Sequence, residues 1–142
     1  MVVITAAIAM WFLAALPPFA QVLPVVRMVA VVGMAVAGVA FSLSGVMAFR
    51  RAKTTVNPLK PGSASSLVSG GVYKITRNPM YVGMLFLLLA WAAFLWSPWS
   101  LIGVLGFAAF IGRFQIEPEE RALLALFGAE FTAYKARVRR WL

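Results

Sequence analysis

The chain has 142 residues, of which 63% are hydrophobic and only 12% charged, and it contains neither cysteine nor histidine. Soluble domains run nearer 45–50% apolar and ~25% charged, so this composition points to a lipid-embedded chain of a single domain. The missing residues exclude disulfides, a thiolate nucleophile and the commonest general base and metal ligand, and no metal is expected. The net charge of +9 does not imply nucleic acid, because the cations lie between apolar runs, where they report topology and contact with anionic headgroups.

The sequence predicts an all-α integral membrane bundle of about four transmembrane helices, with a long cytoplasmic loop and a C-terminal amphipathic helix. The first stretch, 2–16, stops at Pro17-Pro18, where ring geometry ends a helix. No cation precedes Arg27, so the opening reads as a retained membrane helix and not a cleaved signal. The second stretch covers 22–49 and ends in Arg50-Arg51. Arg27, near its outer end, is expected to snorkel to the headgroups. Gly33, Ala37, Gly38, Ser42 and Gly45 recur at spacings that let helices approach closely in lipid. The third and fourth stretches, 79–96 and 100–114, flank the turn Ser97-Pro98-Trp99 as a tight helical hairpin. A span needs about 20 residues, which makes the second stretch long and the others short.

Charge placement sets the expected orientation. Arg50, Arg51, Lys53, Lys60, Lys74 and Arg77 fall in the loop 50–78, and Arg113, Arg121, Lys135, Arg137, Arg139 and Arg140 fall at or beyond the end of the fourth stretch. The two other connections carry no charge. By the positive-inside rule the loop and both termini face the cytoplasm, with a bacterial inner membrane as the expected location.

The loop 50–78 is too long for a mere connector. It holds Asn57-Pro58, Lys60-Pro61-Gly62, Ser63, Ser65, Ser66 and Gly70-Gly71, yet Leu67-Val68 and Val72-Tyr73-Lys74-Ile75 interrupt the polar run. That mixture predicts an ordered interfacial loop of the kind that carries function. The tail 115–142 opens with Glu117-Pro118-Glu119-Glu120, as suits a helix start. Leu123, Phe127, Phe131, Tyr134, Val138 and Trp141 form an apolar stripe at helical spacing, and Gly128 is expected to break or cap the first half. With its basic cluster this reads as an amphipathic helix on the membrane or folded over the spans.

Polar residues concentrate at 77–83 and at Glu119-Glu120. Each has a structural explanation: Asn78 as a helix cap, Tyr81 in the aromatic belt, Arg77 as a topology cation and the glutamates as partners of the helix dipole. The acids tip the balance. The chain has four, Glu117, Glu119, Glu120 and Glu130, and three share one membrane-proximal turn, where they could meet a cation such as an ammonium.

Arg77-Asn78-Pro79-Met80-Tyr81-Val82-Gly83 resembles the Arg-His-Pro-x-Tyr-x-Gly signature of the isoprenylcysteine carboxyl methyltransferase and phospholipid methyltransferase superfamily. Gly70-Gly71-Val72-Tyr73 is similar to the Gly-Pro-Tyr element that precedes it. Glu119-Glu120-Arg121-Ala122-Leu123 with Phe127-Gly128 resembles Glu-Glu-x-x-Leu-x-x-x-Phe-Gly, and Phe131, Tyr134 and Val138-Arg139-Arg140-Trp141 continue the pattern. The resemblance covers the chain from about Val56 onward. It implies a cytoplasm-facing pocket for S-adenosyl-L-methionine, closed by the tail. Tyr73, Asn78, Tyr81 and Gly83 would line it, with Pro79 inside the same signature. Glu119 and Glu120 would hold the cofactor's amino group or ribose, and Arg77 its carboxylate. Tyr134, Arg137 and Arg140 would meet the acceptor, a lipophilic molecule or lipid entering between the spans. Asn78 stands where the family has histidine, which removes a proton carrier but keeps a hydrogen-bonding group.

A transporter normally needs an ionisable group within its spans, and none of the acids falls in one. A nicotinamide-dependent membrane reductase with a related C-terminal signature is an alternative, though 142 residues offer few spans to enclose both a substrate and a dinucleotide, and a non-catalytic membrane adaptor would leave the paired motifs without a purpose.

Overall fold

The computed structural model describes residues 1–16, 23–52 and 66–142. Pro17-Pro18, the beginning of the second span at Val22, and the loop residues Lys53, Asn57-Pro58, Lys60-Pro61-Gly62, Ser63 and Ser65 lie outside the described residues.

Among the described residues the fold is all-helical, with no strand. Helices α1 (Val2–Leu13), α2 (Pro24–Arg51) and α3 (Pro79–Leu95) are separate rods. α4 (Ser100–Ile111) runs through one π-helical turn (Gly112–Ile116) into α5 (Glu117–Arg137), with no break between them. Two rods, Pro24–Arg51 with 28 residues and Ser100–Arg137 with 38, are long and apolar enough to cross a membrane, whereas α1 and α3 are shorter apolar helices. Glu117-Pro118 therefore does not start a new helix after a break, because the preceding Ile116 is itself helical. The wider π turn absorbs one extra residue, and at 3.6 residues per turn that shifts the helical register of the residues after it by about 100°.

The residues group into two compact units. The first takes Met1–Ala40 and Gly83–Phe110. Its core holds the fully buried Met10 and Leu88. Met10 packs onto Gly103, where any side chain would collide with it. Gly38 of α2 lies against α3: a Cβ there would come 2.8 Å from the Gly83 carbonyl oxygen. The rings of Trp11 and Trp91 stack at 6.1 Å, and Trp91 Nε1 donates to the Ala7 carbonyl at 3.1 Å. The Arg27 guanidinium donates to the Phe94 carbonyl and lies 5.6 Å from that ring's centroid, a cation–π contact.

The second unit takes Phe41–Val82 and Ile111–Leu142. Gly45 meets Met80 and the fully buried Pro79 at the start of α3. Gly33, by contrast, has open space around it, so the small residues of α2 serve close packing at Gly38 and Gly45 but not at Gly33. In the segment before α3, Gly71–Lys74 forms a 3-10 turn that buries Tyr73. Tyr73 packs with Phe131 and Tyr134 of α5, with Phe49, Leu123 and Phe127 around them.

At Gly128 α5 kinks through φ 46°, ψ −115°, a conformation that glycine alone adopts freely. The apolar stripe ends earlier than its periodicity predicts. Val138 is extended, with φ −122° and ψ 134°, and Arg139 forms a parallel bridge with Thr76. Val138 and Trp141 are therefore off the helix.

Candidate functional site

The second unit encloses a cavity of about 100 Å³ lined by Tyr73, Arg77, Asn78, Tyr81, Glu119, Glu120 and Tyr134 together with Phe49, Met80 and Phe131. The segment before α3, the first turn of α3 and the first half of α5 each supply polar groups. The remaining sequence-derived candidates lie differently. Pro79 packs against Gly45, Gly83 belongs to the close α2–α3 approach of the first unit, and Arg137 is exposed, with its Nε donating to the Ala133 carbonyl at 3.2 Å. None of these three lines the cavity. Arg140 is engaged as an ion-pair partner and not as a wall.

The adjacent glutamates have opposite surroundings. Glu120 is buried and gathers cations: Arg77 Nη1 at 2.8 Å, Arg140 Nη2 at 2.7 Å and Lys135 Nζ at 3.9 Å. Arg140 approaches as a fork, its Nε donating to Glu120 Oε1 at 3.2 Å and its Nη2 to Oε2 at 2.7 Å, the geometry in which a guanidinium binds a carboxylate most strongly. The Glu120 carboxylate holds the Arg140 guanidinium still more firmly charged than usual. Glu119 instead accepts a hydrogen bond from the Tyr81 hydroxyl at 2.7 Å, and among the described residues no cation pairs with it.

Arg77 is the most constrained cation of the site. Its side chain is 10% exposed, and its Nε and Nη1 have no hydrogen-bond acceptor among the described residues. Nη1 does lie within ion-pairing distance of Glu120, but its N–H is not aimed at the carboxylate, so this is charge proximity without a directed bond. A buried guanidinium with unsatisfied donors is costly to hold, and both atoms belong to a residue lining the cavity.

The tyrosines frame these groups. Tyr134 Oη donates to the Tyr73 carbonyl at 2.7 Å, and the Phe49 ring meets Tyr73 edge-on at 5.5 Å. Burial pushes the Tyr73 hydroxyl well above its ordinary value of 10.0, and Tyr134 and Glu119 push the same way, so it is a neutral hydrogen-bonding group at physiological pH.

The C-terminal segment completes the surroundings. Arg77 N donates to the Arg139 carbonyl at 2.9 Å, and Thr76 Oγ1 and Asn78 Nδ2 both donate to the Arg140 carbonyl, at 3.2 and 2.9 Å. Thr76, wholly buried, also accepts from Asn78 N at 3.2 Å. Thr76 and Lys135 were not singled out from the sequence: a threonine before an arginine carries no local signal, and Lys135 reads as one of the tail's surface cations. Among the described residues no group of acidic side chains is placed to hold a metal ion.

An uncharacterized protein from Haemophilus influenzae is 44% identical over 63 residues, which cover 44% of this chain and 100% of that protein. No solved structure matches the chain. The model of the phospholipid methyltransferase family matches residues 26–130, a range that contains the whole Arg77–Tyr81 segment and the Glu119-Glu120 pair. The chain therefore belongs to the phospholipid methyltransferase family.

Proposed function

We propose that the protein is a single membrane-embedded domain that transfers a methyl group from S-adenosyl-L-methionine to a lipophilic, membrane-resident acceptor at the cytoplasmic face, with both termini on that side. Family membership supports methyl transfer to a lipid-type acceptor. The observation that carries the site assignment is the contrast between the glutamates. Glu120 is saturated with cations, whereas Glu119 lines the cavity with a phenol as its partner.

The residues present fit the amino-acid end of that cofactor. Glu119 is the carboxylate free to take an ammonium, and the unsatisfied donors of Arg77 suit a carboxylate. Tyr73, Tyr81 and Tyr134 give aromatic and hydroxyl contacts around them, and a cavity of about 100 Å³ matches this small polar end. Asn78 and Glu120 border the same space, and Pro79 and Gly83 hold the start of α3 in place. When bound, the cofactor supplies an electrophilic methyl on a sulfonium, which an acceptor lone pair takes as the carbon–sulfur bond pair returns to sulfur.

The protein's contribution is to hold and to desolvate. Transfer to an anionic acceptor cancels charge and gains from a site that excludes water and fixes the in-line geometry, an advantage on the order of 7–11 kcal/mol for well-oriented reactants. A carboxylate or thiolate acceptor needs no base. An amine acceptor loses a proton, which Glu119 or water would accept. Arg137, exposed on α5, would attract an anionic headgroup.

Thermal unfolding of the detergent-purified protein with S-adenosylhomocysteine tests the reading. A concentration-dependent rise is expected, since a ligand that binds the native state stabilises it. NADPH should give none, and Glu119→Ala should abolish the rise. A shift with NADPH alone would favour a membrane reductase, and the absence of any shift with S-adenosylhomocysteine would overturn the proposal.

A further inference from the structure

The bonds between residues 76–78 and 139–140 do more than anchor a chain end. Arg140 sits at their crossing. Its carbonyl receives Thr76 Oγ1 and Asn78 Nδ2, its neighbour Arg139 receives the Arg77 amide, and its guanidinium forks onto Glu120. An arginine on a free tail would lose backbone and side-chain freedom on reaching a buried carboxylate. Here the backbone is already fixed by Thr76 and Asn78, so the fork is presented in place. Glu120 in turn shares its charge with Arg77, a residue that lines the cavity.

We propose that the segment Val138–Leu142 is a strap that positions Glu120, and through it Arg77, for ligand binding, and that Asn78 and Thr76 are positioning residues that hold the strap. Asn78 then has a different task from a cofactor contact. Its amide donor is committed to the Arg140 carbonyl, a role that needs an N–H and no titratable proton, so asparagine serves in a position where a histidine N–H could serve equally. The ligand part of the inference rests on the function proposed above, while the strap itself rests on the hydrogen bonds.

Hydrogen exchange on the full-length protein in detergent reads the strap directly, because the Arg77 amide is protected by Arg139 only while the strap is closed. Asn78→Ala and Asn78→Asp, which both remove the donor, are expected to speed exchange at Arg77 about fivefold, the worth of one hydrogen bond. They should weaken S-adenosylhomocysteine binding by a similar factor. Asn78→His, which keeps a donor, should return both towards the unaltered protein. Arg140→Ala cuts the link to Glu120 but leaves the backbone bonds, so it should weaken binding without a matching rise in Arg77 exchange. If the Asn78→Ala protein does not fold, Thr76→Val removes the companion bond and makes the same prediction. Exchange unchanged in these variants would overturn the strap, and faster exchange with unchanged affinity would overturn its positioning role. If the unaltered protein does not bind S-adenosylhomocysteine, the cofactor assignment fails and the exchange measurements decide the strap alone.

Discussion

Replacing Glu120 with glutamine tests how the second unit holds its charge. The substitution keeps volume and hydrogen-bonding capacity but removes the charge shared by Arg77, Arg140 and Lys135. The Arg77 and Glu120 side chains are each only 10% exposed, and breaking such a buried pair by removing one partner costs about 3–5 kcal/mol. Glutamine can still accept a bond, so the lower end, about 3 kcal/mol, is expected. Lys135 is 50% exposed and 3.9 Å away, and contributes less than about 1 kcal/mol. Glu117→Gln is the natural comparison, because its pair with Arg113 is an i,i+4 contact with Arg113 66% exposed, worth about 0.3–0.5 kcal/mol. In unfolding of the ligand-free protein, Glu120→Gln should lower Tm by about 10 °C and Glu117→Gln by about 1–2 °C. High salt should erase the smaller effect and leave most of the larger one. The double variant Arg77→Met/Glu120→Gln removes both buried charges and should recover most of the loss. Equal costs for the two single substitutions, or no recovery in the double one, would refute the buried-charge argument.

Two further outcomes follow from packing and titration. Gly45→Ala places a Cβ 2.8 Å from Met80 Cγ and 3.2 Å from Pro79 Cγ and should cost about 1–3 kcal/mol; Gly33→Ala meets open space and should be neutral or stabilising by up to about 1 kcal/mol, so thermal unfolding of the pair separates close packing from mere helix flexibility. The Tyr73 hydroxyl titrates above its unfolded value of 10.0, so above that pH the unfolded state releases a proton that the native state retains. Stability should therefore be level below pH ~10 and fall as pH rises beyond it, and Tyr73→Phe should flatten that fall in a pH series of unfolding curves.

Much of this arrangement is local and can be read along the chain. Apolar length marks α2, and the Pro79 start of α3 follows from proline's fixed φ and missing N–H. The scarcity of acids draws attention to Glu119 and Glu120 before any fold is known. The remainder depends on contacts between distant residues. Thr76 and Arg140 are 64 positions apart, and nothing in the spacing of the tail's stripe announces that the helix ends at Arg137 and that Val138 turns extended, since Val138 and Trp141 keep the helical period. The π turn at Gly112–Ile116 is equally silent, because a continuous rod and a fresh start at Glu117-Pro118 have the same residue signals. Arg27 is a further case: its donation to the carbonyl of Phe94, 67 positions away, follows from packing and not from hydropathy.

The two adjacent glutamates separate stability from binding, and that separation can be measured. Glu120, neutralised by its neighbours, acts on the folded state whether or not a ligand is present. Glu119 accepts a bond from Tyr81, and its loss as a charge strands no buried cation among the described residues, so Glu119→Gln, which keeps an amide acceptor, should cost about 1–2 kcal/mol at most, the difference between a charged and a neutral hydrogen bond. Its effect on an ammonium-bearing ligand should be far larger, because the cation would lose its anionic partner in a partly desolvated cavity, an interaction whose removal costs about 2–5 kcal/mol. S-adenosylhomocysteine affinity should therefore fall at least about 30-fold in Glu119→Gln while the Tm of the ligand-free protein stays closer to that of the unaltered chain than Glu120→Gln does. Isothermal titration alongside unfolding measures both quantities on the same sample. If Glu119→Gln proved the more destabilising of the two in the absence of ligand, with affinity preserved, the roles assigned to the pair would have to be exchanged.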